Sequence, residues 1–220
     1  MRRAIVTGAG GFIGYHLTHY LKQRDYYVRG VDIKFPEFGP SPADEFLIRD
    51  LRFPLPAMDM VEGGFDELYA LAADMGGMGF IEGDHDRDIM SNNTRINMNT
   101  LEAALYGKLQ RYLFTSSACV YPEHLQLTTD TGGLKEADAY PAAPDAEYGW
   151  EKLYAERVTT VYGAATPMQT RIARFHNVYG PQGTWTGGRE KAPAAICRKV
   201  AEAKFAKEGK IDIWGDGDQT

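Results

Sequence analysis

The chain has 220 residues, 44% hydrophobic and 25% charged, and a formal net charge of −6. That is the composition of one large soluble domain, or one domain and part of another, with ample core-forming material. The acidic balance leaves no footprint for nucleic acid, no apolar run is long enough to span a membrane, and two cysteines cannot build a disulfide framework.

"RRAIVTG" opens the chain as a strand with no secretory leader ahead of it, and two free thiols fit a reducing, cytoplasmic setting. "GYHLTHYLKQRD" reads as a helix, "YYVRGVD" as a second strand, and "DEFLIRDL" and "FDELYALAA" as the third and fourth. A long helical run over residues 89 to 105 follows, then a fifth strand "RYLFTSS", a helix "EYGWEKLYAERVTTVYG" and a sixth strand in "MQTRIARFHNVYG". "FPEFGPSP" and "YPAAPD" are proline-marked loops, and "EGDHDRD" is an acidic, solvated one. The alternation predicts an α/β fold with a parallel sheet covered by helices on both faces. After "RFHNVYGP" the character changes to a glycine-rich loop, a helix "AAICRKVAEAKFAKEG" and a short strand "KIDIWG". The expected division is a nucleotide-binding domain over residues 1–177 and part of a substrate-binding region over 178–220, read as a fragment.

"TGAGGFIG" sets Gly8, Gly11 and Gly14 between the first strand and the first helix. Glycines there permit a tight turn and let backbone amides approach a pyrophosphate at the helix N-terminus, in a Rossmann-type, doubly wound sheet. Asp32, at the end of the second strand, is placed to accept ribose hydroxyls, which favours NAD over NADP, although Lys34 keeps NADP open. The strand end at Arg49–Leu51 is within reach of an adenine. The alternative is a glycine-rich turn that binds nothing.

In "YGWEK", Tyr148 and Lys152 stand four residues apart on one helix face. A phenol ionises near pH 10, too high for a base at neutrality unless a neighbouring positive charge stabilises the phenolate. Ser117, at the end of the fifth strand, is expected to hydrogen-bond the same substrate oxygen. In "FTSSACVYPE" Cys119 follows two serines just past that strand, where it is either a small packing residue or a base placed against substrate.

"TGAGGFIG", "SSACVYP", "YGWEK" and "RFHNVYGP" resemble the extended short-chain dehydrogenase/reductases, the NAD-dependent epimerases and dehydratases of nucleotide sugars. "LAADMGGMGFI" and "GTWTGGREKAPAAICRK" further resemble the GDP-mannose 3,5-epimerases, and the likeness runs over essentially the whole chain. It implies bound NAD, held by Gly8, Gly11, Phe12, Ile13, Gly14, Asp32, Asp50, Leu51, Leu71, Ala72, Tyr148 and Lys152. It implies transient oxidation at C4 of the sugar by Tyr148, Lys152 and Ser117, with Cys119 and Lys191 as base and acid at C3 and C5. Lys191 sits where a loop enters a helix, with Pro193 suited to the first turn, and the positive helix end makes an ammonium a readier donor. Gly76, Gly77, Ser117, Ala118, Cys119, Asn177, Glu190, Lys191, Lys199, Gln219 and Thr220 are the implied contacts to a nucleotide sugar such as GDP-mannose. A homodimer through the long helices at residues 89 to 105 and 148 to 162 is implied as well.

For single residues plainer readings stand beside these. Lys191 alone is a solvated loop lysine, Asn177 a strand-end cap, and Gly76 and Gly77 a flexible connector. His176 reads as a hydrogen-bonded structural imidazole and Cys197 as a packing residue. His16 and His19 share a helix face with no third ligand, so no metal site is expected. Beyond the epimerase reading stand another nucleotide-sugar epimerase or dehydratase, and a non-catalytic NAD-binding module.

Overall fold

The structure, a computed structural model, describes residues 1–76, 85–126 and 132–213. Its sheet has six strands, β1 (Arg3–Thr7), β2 (Tyr27–Asp32), β3 (Glu45–Ile48), β4 (Glu67–Ala70), β5 (Arg111–Ser117) and β6 (Gln169–Phe175). All pairings are parallel, in the order β3-β2-β1-β4-β5-β6. The strand order reverses between β1 and β4, so a crevice opens beyond their carboxyl ends at Thr7 and Ala70, the place where such sheets bind ligands. The expected α/β, doubly wound architecture is the one observed.

The burial pattern explains why β1 reads as a continuous apolar run. Ile5 packs into a cluster with Leu68, Phe114, Leu101 and Ala155, while Ala4 and Val6 pack on the other face with Val28 and Leu21. A strand with both faces covered has no polar side to show. Helix α1 (Phe12–Lys22) contributes Leu21 to one face. Helices α2 (Pro54–Asp59), α3 (Asp86–Tyr106) and α4 (Glu147–Ala165) cover the other through Met60, just after α2, Leu101 and Ala155. Helix α5 (Ala192–Ala206) follows the sixth strand.

Residues 33–44 connect β2 to β3 without a helix, in keeping with the proline-marked loop expected at "FPEFGPSP". Other local expectations are corrected. The acidic stretch is partly helical: α3 starts at Asp86, with Asp86 and Asp88 in its first turn, where negative charge complements the helix dipole. No strand forms over residues 210–213, the described part of "KIDIWG". Cys197 is exposed rather than packed. Among the described residues no helix is long and apolar enough to cross a membrane.

Candidate active site

The turn between β1 and α1 is built around three close backbone approaches. Gly8 has φ +72°, and a Cβ on it would lie 2.9 Å from the Ala72 nitrogen. A Cβ on Gly14 would lie 2.1 Å from the Gly8 carbonyl oxygen, and one on Gly10 2.3 Å from the Lys34 carbonyl oxygen. Thr7 fixes the far side, its Oγ1 accepting from the amides of Leu71 (3.1 Å) and Ala72 (3.2 Å). Asp32 accepts through Oδ2 from the Gly10 amide (2.9 Å) and through Oδ1 from the amides of Ile33 (2.7 Å) and Lys34 (3.2 Å). Gly11 precedes α1 with no side-chain cap, so the first helical amides point into the crevice without a side-chain acceptor. This bare cradle, with a carboxylate at its edge, fits a dinucleotide. Gly10 was not in the expected set; its signal was the run of adjacent glycines.

Beyond the turn lies a cavity of about 600 Å³. All the residues expected to hold the cofactor line it, from Gly8 to Lys152, and so do Gly76, Ser117 and Lys191. Ala118, Cys119, Asn177, Glu190 and Lys199 do not line it. Gly77, Gln219 and Thr220 lie outside the described residues.

Tyr148 and Lys152 project from the first turns of α4 and are almost fully buried, at 4% and 2% exposure. Lys152 Nζ donates to the Thr115 carbonyl (3.3 Å) and stands 4.9 Å from the Phe114 ring centre and 5.7 Å from that of Tyr148. Burial pushes the Tyr148 phenol well above its ordinary range, with electrostatic repulsion from the neighbouring Cys119 and Glu151 side chains acting the same way and a hydrogen bond with Ser117 pulling back. The lowering expected from a neighbouring ammonium is therefore not found: burial dominates, and the one lowering influence is the Ser117 hydroxyl. Burial also pushes Lys152 down, against the pull of Glu151.

Ser117 ends β5 and caps the 3₁₀ turn Ala118–Val120, its Oγ accepting from the Cys119 amide (3.2 Å). The Cys119 side chain is half-buried and packs with Ile89 and Tyr148, beside the cavity wall. Two structural partners escaped sequence reading. Gly149 lets α4 lie against the Cys119 carbonyl. Glu156 accepts from Ser116 Oγ (2.6 Å) and receives both Nε (2.8 Å) and Nη2 (2.7 Å) of Arg174, tying α4 to the ends of β5 and β6. Neither shares a local motif with its partner.

Lys191 stands at the start of α5 with extended backbone, and Pro193 falls in the first turn. Its neighbours are committed elsewhere. Glu190 accepts from the Gly188 amide (2.7 Å) and pairs with Arg198 (3.5 Å), and Lys199 donates to the Asp212 carbonyl (2.7 Å). Asn177 is exposed past the end of β6. His176 has its ring 6.5 Å from that of Tyr121, and His16 Nε2 meets the Pro181 carbonyl oxygen at 3.0 Å, closing the loop after β6 onto α1.

The model of the "NAD dependent epimerase/dehydratase family" matches residues 4–220. A GDP-mannose 3,5-epimerase of Arabidopsis thaliana is 47% identical over 217 residues, 98% of this chain and 56% of the relative. GDP-mannose 3,5-epimerase 1 of Oryza sativa subsp. japonica is 47% identical over 223 residues, 99% of this chain and 56% of the relative. The chain thus spans little more than half the length of these curated relatives. Among solved structures, a UDP-glucose 4-epimerase of Thermotoga maritima with UDP-glucose superposes with a TM-score of 0.81 at 20% identity, covering 98% of this chain and 66% of that one, a likeness of fold.

Proposed function

Because the chain belongs to the NAD dependent epimerase/dehydratase family, we propose that it is the nucleotide-holding part of an NAD-dependent nucleotide-sugar epimerase of the GDP-mannose 3,5-epimerase kind. The observation that carries this reading is that Ser117, Tyr148, Lys152 and Lys191 line the same cavity as the glycine turn and Asp32. In this reading residues 1–177 hold the cofactor and residues 178–220 begin the sugar-holding region.

The residues present divide the work. The glycine turn and the start of α1 hold a diphosphate, and Asp32 holds a ribose. NAD, when bound, supplies the acceptor and donor of hydrogen by which a sugar hydroxyl at C4 becomes a ketone and is restored. Tyr148 takes and returns the hydroxyl proton, Ser117 orients the oxygen, and Lys152 braces the phenol from β5 through Thr115. A carbonyl at C4 acidifies the hydrogens at C3 and C5. Cys119 removes a proton from one ring face and Lys191 supplies one to the other. Cys119 touches Tyr148 from outside the cavity lining, so the reading requires the sugar ring to extend past that phenol to the sulfur. The exposed Trp150, Tyr154 and Val161 on α4 support a dimer through that helix.

The test is to give the protein, as its gene encodes it, GDP-mannose in deuterated water and to map deuterium on the recovered sugar. Incorporation at C3 and C5 is expected, and its absence at both overturns the reading. The position of Cys119 favours a second reading, an epimerase that inverts C4 alone; inversion there without exchange at C3 or C5 is its signature.

A further inference from the structure

We propose that Asp74 and Arg189 are positioning residues that together hold Lys191 at the cavity, an inference that rests on the reading of Lys191 as a proton donor. Asp74 lies in the loop after β4 and is fixed to α3 at three points. Asn93, fully buried, accepts from the Asp74 amide (2.6 Å) and donates to its carbonyl (3.0 Å), and Asn92 donates to its Oδ2 (2.9 Å). Arg189, only two residues before Lys191 but far along the chain from Asp74, reaches this anchored point. Its Nη1 donates to the Met75 carbonyl (3.1 Å) and stands 3.6 Å from Asp74 Oδ1.

The segment carrying Lys191 is otherwise tied to its own helix. Arg198 on α5 donates to the Trp185 carbonyl (3.0 Å) and pairs with Glu190, so the loop and α5 form one unit. Gly187 and Gly188, at φ +90° and +83°, bend the loop just before Arg189. The Lys191 carbonyl accepts from the Ala195 amide (3.1 Å), which starts α5, while its amine makes no hydrogen bond among the described residues and takes its place from this neighbourhood. The Arg189–Asp74 contact joins the unit to the sheet side of the cavity, and Asp74, Asn92, Arg189 and Lys191 all line that cavity. A half-exposed ion pair contributes little to stability. Its effect belongs to geometry, where a misplacement of about 1 Å can cost on the order of a hundredfold in rate.

The experiment measures deuterium exchange into GDP-mannose by the protein as its gene encodes it, with Arg189→Met, Arg189→Lys, Asp74→Asn and Lys191→Met. Arg189→Met and Asp74→Asn are expected to lower kcat and exchange roughly tenfold or more, with KM, NAD affinity and the thermal midpoint nearly unchanged. Arg189→Lys recovers part of the loss, and the Arg189→Met/Asp74→Asn pair falls no further than Arg189→Met, as coupled sites should. If Lys191→Met abolishes exchange while the Arg189 and Asp74 variants retain it, the inference is overturned and the reading of Lys191 survives. If Lys191→Met leaves exchange intact, that reading fails and takes the inference with it. Loss of NAD affinity or thermal stability in step with exchange, without recovery in Arg189→Lys, makes the contact structural and overturns the proposal.

Discussion

Gly149 lies directly against the backbone of Cys119: a Cβ built on it would stand 2.1 Å from the Cys119 carbonyl oxygen. The contact seats the helix that carries Tyr148 against the turn that carries the thiol. Two effects oppose each other in Gly149→Ala. Helix propensity alone predicts a gain of about 1 kcal/mol. Overpacking against a backbone that cannot rotate away predicts a loss of roughly 1–3 kcal/mol. The clash should win, because a carbonyl oxygen and the Pro144 ring (2.8 Å) both obstruct the methyl group. Urea unfolding is expected to show a destabilised variant, and a stabilised one would mean that the approach is looser than described.

Tyr148→Phe removes the hydroxyl proposed to carry the proton while keeping the ring that packs with Ile89 and Cys119. The expected outcome in the protein as its gene encodes it is a fall in turnover of roughly 10²–10⁴, with NAD affinity changed only a few-fold. Since burial holds the phenol up, turnover of the unmodified protein should also rise with pH on the alkaline side of neutrality. A Phe variant with near-normal turnover would remove Tyr148 from the chemistry.

What the sequence disclosed and what it withheld divide along physical lines. The strand–turn–helix around Gly8 to Gly14, and Tyr148 with Lys152 one turn apart, are local patterns, and local geometry follows from local spacing. Asn93 on the Asp74 backbone, Glu156 under Ser116 and Arg174, and Arg189 at Met75 are pairings between distant segments, for which one sequence has no spacing to read. Glu190 and Lys199 were expected at the substrate because they flank Lys191 in a motif. In the structure Glu190, ahead of α5, accepts from the Gly188 amide and pairs with Arg198, and Lys199 on α5 donates to the Asp212 carbonyl, contacts between positions that the motif does not pair. The placement of Cys119 beside rather than in the cavity wall depends on a 3₁₀ turn that its residues do not announce.

Asp32 joins the second strand to the glycine turn through Gly10 and folds the chain after it through Ile33 and Lys34. Asp32→Ala should therefore weaken NAD at least roughly tenfold, since the proposed ribose partner and the turn would be lost together. Asp32→Asn keeps an acceptor and removes the charge, so it should narrow the preference for NAD over NADP. Calorimetric titration with both dinucleotides reads the two effects separately. Equal NAD affinity in Asp32→Ala and the unmodified protein would exclude the ribose role.

Glu151, fully buried next in sequence to Lys152, supplies a test of how charge is distributed inside α4. Its Oε1 accepts from Asn97 Nδ2 (2.6 Å), while Oε2 has no hydrogen-bond partner among the described residues. Burial pushes the carboxyl above its usual range, and Lys152 and Asn97 pull it back only in part. The sign follows from proton counting. Above the unfolded value near 4.5 the folded chain retains a proton that the unfolded chain has released, so stability falls as pH rises through that window. Glu151→Gln mimics the protonated form and removes this penalty, worth about 1.4 kcal/mol for each unit of rise. The variant should match the unmodified protein near pH 4 and become progressively more stable than it towards pH 8, by urea unfolding at each pH. A variant less stable at pH 8 than at pH 4, relative to the unmodified protein, would mean that attraction to Lys152 outweighs the cost of burying the carboxylate.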